Sequence, residues 1–104
     1  MAREIGFDEY NNEVIKSDKL VLIDFFATWC GPCKMLAPVI EQVSNENEDV
    51  MVVKVDVDKN PELAVLYNVA SIPTLVFLKE GKAVKEHIGF ASKAEIQQFI
   101  NELK

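Results

Sequence analysis

Hydrophobic positions along the chain form two kinds of pattern, a stripe at helical spacing and a continuous run. An apolar stripe at helical spacing over residues 7–14 predicts a first helix that ends near Ser17. Residues 20–26 instead form a continuous apolar run that only Asp24 interrupts. A strand that is buried on both faces has this composition, so the run predicts the centre of a sheet with helices on both sides.

The remaining elements follow from the same two signals. Helices are predicted over residues 33–47, from Asn60-Pro61 onward, and after the capping box Ser92-Lys93-Ala94-Glu95. Strands are predicted over residues 50–57, 74–79 and 83–88, and a short glycine-containing link joins the last two as an antiparallel hairpin. Alternating strands and helices followed by a hairpin indicate an α/β fold with a central mixed sheet.

Composition indicates a single domain, residues 1–104, and argues against two classes of partner. No Gly/Ser/Pro-rich stretch divides the chain, and 49% hydrophobic residues suffice for one core. The net charge of −6, with no basic cluster, argues against binding nucleic acid or an anionic membrane. The N-terminal residues lack the apolar segment of a signal peptide, and no run approaches the length of a transmembrane helix. We therefore expect a cytoplasmic monomer.

The two cysteines stand as Cys30-Gly31-Pro32-Cys33, between the first buried strand and the second helix. Such a pair can close a small reversible disulfide, and the helix amides there favour the thiolate. A reducing cytosol favours a catalytic disulfide over a structural one. A zinc site usually needs four Cys or His ligands, and His87 is the only histidine. We predict dithiol–disulfide exchange with no metal and no bound cofactor.

Position along the helix predicts different roles for the two sulfurs. Cys30 lies near amides that lack intrahelical partners, which lowers its thiol pKa and makes it the attacking nucleophile. Cys33 lies one turn later, where we expect a more shielded sulfur that resolves the mixed disulfide. Gly31 lets a partner backbone approach, and Pro32 presets the first helical turn. Since neither residue offers the thiolate a charged group, we predict a strongly reducing couple.

Asp24 is the polar exception in the buried strand. Its apolar neighbours would desolvate the carboxylate, which raises its pKa and allows proton exchange near neutral pH. We predict that Asp24 is the general base that deprotonates Cys33, directly or through a water. The alternative is a solvated acid at the end of a strand.

Several separate segments resemble the thioredoxin family in order and spacing. They are Asp24-Phe25-Phe26-Ala27, Trp29-Cys30-Gly31-Pro32-Cys33-Lys34, Val53-Lys54-Val55-Asp56-Val57-Asp58, Ser71-Ile72-Pro73-Thr74 and Ile88-Gly89-Phe90. The chain departs from the family at Phe26, where many members carry a second tryptophan, and at Ala70, where a basic residue is common. The resemblance implies a thioredoxin-like α/β fold, with a central mixed sheet of about five strands and about four helices on its two faces. It also implies a general protein-disulfide reductase.

Partners and supporting residues are further implications of this resemblance. Thioredoxin reductase, an NADPH-dependent flavoprotein, would re-reduce the disulfide, so NADPH acts indirectly, and disulfide-bearing proteins would be the substrates. Lys54 would lie near Asp24 and modulate its charge; the alternative is an exposed strand lysine. The bond between Ile72 and Pro73 would be cis and lie against Cys30, leaving the Ile72 backbone free to pair with an extended substrate. A strand-initiating proline is the alternative for Pro73.

Substrate contacts are predicted around the sulfurs. Trp29, Ile72, Phe90 and Ala91, together with Gly89, would form a mostly apolar surface for the chain that flanks a substrate disulfide. Two other classes of function remain. One is a redox-gated protein-binding module, in which the dithiol state controls affinity. The other is an oxidase or isomerase outside the cytosol, which the uncharged dipeptide between the cysteines disfavours.

Overall fold

A computed structural model, which describes residues 1–104, contains one mixed sheet of five strands. The strands are β1 (Arg3–Glu4), β2 (Leu20–Phe26), β3 (Val50–Asp56), β4 (Thr74–Lys79) and β5 (Lys82–Ile88), in the order β1-β3-β2-β4-β5. β1 and β2 run parallel to β3, whereas β4 runs antiparallel to β2 and to β5. The predicted mixed sheet and the hairpin are confirmed.

The hydrophobic pattern does not reveal β1. This strand has two exposed residues, Arg3 and Glu4, which pair with Val53 and Lys54 of β3. Alternation needs about four residues to be recognised, so a strand this short has no periodicity of its own. The other predicted strands agree with the structure to within one residue at each end.

Helices cover both faces of the sheet, as α1 (Phe7–Glu9), α2 (Gly31–Glu46), α3 (Pro61–Leu66) and α4 (Lys93–Leu103). The predicted extent of the first helix is wrong, because α1 continues only as a π-helical turn over Tyr10–Val14 and ends before Ser17. The Ile15 amide donates to the Tyr10 carbonyl at 3.2 Å, which makes the wide turn, and the Ser17 amide then closes onto the Val14 carbonyl. No helix has both the length and the apolar character needed to cross a bilayer.

Side chains of β2 alternate between two apolar cores. Leu20 and Leu22 belong to a core with α2 and α4 on one face of the sheet. Ile23 and Phe25 belong to a core with the first helix and α3 on the other face. This alternation explains why every position of the run except Asp24 is apolar. By the same alternation Asp24 lies on the α2 face, where it replaces an apolar side chain.

Helix α2 begins directly after the short turn that follows β2, so both cysteines lie near the carboxyl end of that strand. Pro32 lies in its first turn, where the missing amide hydrogen would have had no intrahelical partner. At the start of α4 the Glu95 amide donates to Ser92 Oγ at 3.1 Å, and the Ser92 amide donates to Glu95 Oε1 at 3.0 Å. The predicted capping box is therefore confirmed.

Candidate active site

Cys30 and Cys33 are joined by a disulfide at the start of α2, with their Cα atoms 5.2 Å apart. Cys30 is the N-cap residue, and the Cys33 amide donates to its Sγ at 3.2 Å. This amide is one of the helix N-terminal donors that have no intrahelical acceptor. A donor placed there favours negative charge on the Cys30 sulfur once the disulfide is reduced.

The two cysteines are buried to a similar extent, although their positions on the helix predicted a more shielded sulfur for Cys33. Cys30 is 5% exposed and Cys33 is 4% exposed, because both pack into a small apolar cluster with Ala27. Their neighbours differ instead. Cys30 Sγ lies 3.9 Å from the Ile72 carbonyl oxygen, on the outer side of the site, whereas Cys33 lines an inner cavity.

That inner cavity has a volume of about 230 Å³ and lies between α2 and the ends of β2 and β3. Its lining comprises Asp24, Phe26, Ala27, Thr28, Cys33, Lys34, Ala37 and Lys54. The structure thus brings together the three residues that were predicted to cooperate, which are the acid, the second cysteine and the strand lysine. Phe26, Thr28 and Ala37 line the same cavity without having been predicted to do so.

Asp24 is buried, with 1% of its surface exposed. Its Oδ1 atom has no hydrogen-bond partner in the protein. Burial raises the pKa of Asp24 to about 6, and the positive charge of Lys54 opposes part of that rise. The carboxyl group can therefore exchange a proton near neutral pH, and the alternative of a solvated acid does not fit this position.

Lys54 lies directly across from Asp24 in the parallel pairing of β2 with β3. It is half-buried, and its Nζ lies 4.8 Å from the centre of the Phe26 ring. Lys54 is therefore a cavity residue, whereas the alternative was an exposed strand lysine.

The outer side of the disulfide is an exposed and largely apolar surface. Trp29 is 69% exposed, and its Nε1 donates to Asp58 Oδ2 at 2.8 Å, a contact that no sequence signal indicated. Beside it lies a groove of about 180 Å³ whose lining is Trp29, Val57, Ala64, Val69, Ala70, Ser71 and Ile72. Phe90, another residue predicted to contact substrate, is 45% exposed.

The loop that carries Ile72 lies against the first cysteine. The bond between Ile72 and Pro73 is cis, as the family resemblance implied, and Pro73 is buried. The Gly89 amide donates to the Pro73 carbonyl at 2.8 Å, and Gly89 has a φ of +94°, which a residue with a side chain rarely adopts. Gly89 thus ties the end of β5 to the loop before β4.

Ala91 does not belong to this exposed surface, contrary to the prediction. It is fully buried in the core cluster on the α2 face, because the chain turns inward after Phe90 to begin α4. Ile88 takes its place at the surface. It is 60% exposed and pairs with Thr74, the residue after Pro73.

Metal chemistry has no ligand set here, since the structure contains no group of three or more His, Cys, Asp or Glu side chains able to hold an ion.

Comparisons with known proteins agree with this geometry. A family model described as Thioredoxin matches residues 3–102. A thioredoxin of Listeria monocytogenes serovar 1/2a is 46% identical over 102 residues, which is 97% of each chain. A thioredoxin of Bacillus subtilis (strain 168) is 50% identical over 86 residues, 82% of this chain and 83% of the relative. The crystal structure of chloroplastic thioredoxin z matches with a TM-score of 0.88 and 34% identity, covering 98% of this chain and 93% of that one.

Proposed function

The chain belongs to the thioredoxin family, and on that premise we propose how its residues divide the work of disulfide exchange. The protein is a thiol-disulfide oxidoreductase that reduces protein disulfides, and its redox centre is the Cys30–Cys33 pair. The proposal assigns separate roles to the two sulfurs and to the acid in the inner cavity. One observation supports these roles: the buried side chains of Cys33 and Asp24 line the same cavity, while Cys30 faces the outer loop.

In the first step, the Cys30 thiolate attacks one sulfur of a substrate disulfide. A bond forms between Cys30 and that sulfur, and the other substrate sulfur leaves as a thiolate. The Cys33 amide, 3.2 Å from Cys30 Sγ in the oxidised protein, stabilises the attacking thiolate. Gly31 and Pro32 are exposed beside the sulfurs and carry no charge, so they add no further stabilisation of the thiolate. We therefore expect a reducing couple.

In the second step, Cys33 resolves the mixed disulfide. Its thiol gives a proton to the Asp24 carboxylate, and the resulting thiolate attacks Cys30 Sγ. The bond between Cys30 and the substrate breaks, and the second substrate sulfur leaves as a thiolate. Two electrons have then passed to the substrate, and the protein holds the Cys30–Cys33 disulfide. The pKa of about 6 for Asp24 suits this role, since an efficient base titrates near the working pH.

Substrates bind on the outer surface, which we define as Trp29, Ile72, Ile88, Gly89 and Phe90. Its exposed side chains are apolar, and the Ile72 carbonyl lies beside Cys30. An extended substrate can pair with backbone groups there while its side chains cover the apolar residues. Because main-chain pairing does not depend on side-chain identity, this mode predicts broad specificity for disulfide-bearing proteins.

We also propose which partner re-reduces the Cys30–Cys33 disulfide and in which compartment. Thioredoxins generally work with a thioredoxin reductase and with disulfide substrates, and NADPH reaches them through that reductase. We propose that such a reductase returns electrons to Cys30–Cys33 and that the reaction takes place in the cytoplasm, whose glutathione pool suits a reducing couple. Residues 1–104 would act as one domain and as a monomer.

The assay is dithiothreitol-driven reduction of insulin disulfides by the parent protein, Cys30→Ser and Cys33→Ser. Cys30→Ser should lose all catalysis, because the sulfur that attacks the substrate is gone and Cys33 is proposed only to resolve the mixed disulfide. In a parallel incubation with insulin but without dithiothreitol, which would cleave the product, reduced Cys33→Ser should form the mixed disulfide with substrate and accumulate it, and mass spectrometry detects that species. Accumulation in Cys30→Ser instead would reverse the assigned roles. A redox-gated binding module would keep substrate affinity in the double serine variant and show no turnover in the parent.

A further inference from the structure

Lys54 lies within reach of two partners and contacts only one of them. Asp24 and Lys54 are paired across β2 and β3, and Phe26 follows Asp24 on the same face of the sheet. The Lys54 ammonium lies on the Phe26 ring, 4.8 Å from its centre. It forms no ion pair with any carboxylate, and Asp24 Oδ1 has no hydrogen-bond partner.

We propose that the Phe26 ring is a positioning group for the resolving step, because it holds the Lys54 ammonium on its face and so prevents a direct ion pair with Asp24. The proposal rests on the role given above to Asp24 as the base for Cys33. In that step the proton passes from Cys33 Sγ to the carboxylate, and the sulfur then forms its bond to Cys30. The carboxylate must therefore keep enough affinity for a proton to accept one.

The physical reason lies in what an ion pair would do to a buried base. The negative face of an aromatic ring attracts a cation without neutralising any acid. A carboxylate that gains a direct cationic partner has its pKa lowered by about 1 to 3 units. For Asp24 that would cancel much of the rise caused by burial, and the acid would become a poorer proton acceptor.

No other group near Asp24 offers a charge that could pair with it and lower its pKa. Lys34 lines the same cavity from α2 but is exposed at its surface. The β4 residue paired with Asp24 is Leu75, which carries no charge. Asp56, on the same face of β3, accepts hydrogen bonds from the amides of Asp58 and Lys59 and is occupied by them. Burial is the main cause of the high proton affinity of Asp24, and Lys54 is the charge that opposes it.

The test measures the Asp24 carboxyl pKa by carbon-13 NMR in the disulfide form, where neither cysteine titrates. Phe26→Leu and Phe26→Met both remove the aromatic face, so that one variant suffices if the other fails to fold. In each, the pKa of Asp24 should fall by about one unit, because the ammonium is free to pair with it. Phe26→Trp keeps an aromatic face and should leave the pKa unchanged.

Water entering a loosened cavity would also lower the pKa, so the experiment needs a second background. In Lys54→Met, the change Phe26→Leu should leave the Asp24 pKa where Lys54→Met alone puts it. A fall of the same size in both backgrounds would assign the effect to hydration and overturn the proposal. No change, or a rise, on removing the ring in the parent background would overturn it as well.

The role of Asp24 itself is tested separately by the resolution rate of Asp24→Asn. If that variant resolves as fast as the parent, Asp24 is not the base, whatever the NMR titrations show. If Asp24→Asn resolves the mixed disulfide slowly but the pKa of Asp24 is unchanged in the Phe26 variants, Asp24 keeps its role and Phe26 is not a positioning group. If Asp24→Asn is slow and the Asp24 pKa falls in Phe26→Leu, the acid limb of the pH profile for resolution in Phe26→Leu should shift to lower pH by the same amount as that pKa.

Discussion

The two sides of the Cys30–Cys33 disulfide differ in their access to water. On the inner side Asp24 is 1% exposed and lines a partly enclosed cavity with Cys33. On the outer side Trp29 is 69% exposed beside an open apolar groove. Both sides are built at the carboxyl end of β2, within a few residues of the same sulfurs. One short segment can therefore serve two chemical tasks that need opposite surroundings.

Each task explains the surroundings it has. A carboxyl group becomes a useful base near neutral pH only when burial disfavours its charge. An apolar surface contributes to binding only if it is exposed to water before the substrate arrives. Mixing the two environments would weaken both, because water would lower the pKa of Asp24 and a closed surface could not bind.

The largest effect is expected from Asp24→Asn on the inner side. An amide cannot accept the Cys33 proton, so resolution of the mixed disulfide should slow by about 10² to 10⁴-fold. The first attack by Cys30 should keep its rate. Rapid-quench measurement of mixed-disulfide formation and decay separates the two steps. Asp18→Asn removes a carboxylate from an exposed turn and should change neither rate; a slowdown there would point to net charge as the cause.

The free energy of unfolding should depend on pH because Asp24 is buried on the inner side. The folded pKa of Asp24, about 6, lies above its ordinary value of 3.8, so ionisation opposes folding. The contribution of Asp24 to the free energy of unfolding is therefore most favourable below pH 3.8. It falls as the pH rises from 3.8 to about 6 and is constant above that, and the total loss is about 3 kcal/mol. Denaturant unfolding should show that Asp24→Asn becomes more stable relative to the parent when the pH is raised from 4 to 7. An equal difference at both pH values would contradict the raised pKa.

Much of the inner side could be predicted from the sequence, because its cause is local. A carboxylate inside a run of apolar strand residues has to be buried, and a C-x-x-C pair after that strand has to lie at a helix start. The contact between Lys54 and Phe26 could not be predicted, since it depends on which way a flexible side chain turns in a finished cavity. The similar burial of the two cysteines depends on packing around Ala27, which spacing does not report.

The outer side was harder to predict, because most of its residues come from loops. Alternation along β5 ends at Ile88, and no pattern says that Ala91 turns inward while Phe90 stays exposed. The contact of Trp29 with Asp58 joins residues 29 positions apart, and neither residue carries a local signal for it. Loops follow the core that they connect, so their exposure is known only when the core is known.

On the outer side, Trp29→Ala should weaken recognition of protein substrates. Removal of the most exposed aromatic residue beside the sulfurs should raise KM for insulin by about tenfold, or about 1.4 kcal/mol. The kcat and the reduction of a small disulfide should change little, because neither needs the apolar groove. Val65→Ala truncates a residue that is 74% exposed but lies outside the groove, and it should leave KM unchanged. Equal effects of the two variants would remove Trp29 from the binding surface.

The smallest effect is expected from Asp58, which touches no sulfur and orients the indole of Trp29 through the 2.8 Å hydrogen bond. Asp58→Ala should raise KM for insulin by about threefold, in line with the loss of one exposed hydrogen bond. Asp58→Asn keeps an acceptor oxygen at the same place and should restore most of the affinity. Since Trp29 is the only tryptophan, its fluorescence reports the indole environment directly. The emission of Asp58→Ala should change while that of Asp58→Asn stays near the parent. If both variants raise KM equally, the charge of Asp58 acts on substrates by itself, and the outer surface would depend on electrostatics as well as on apolar contact.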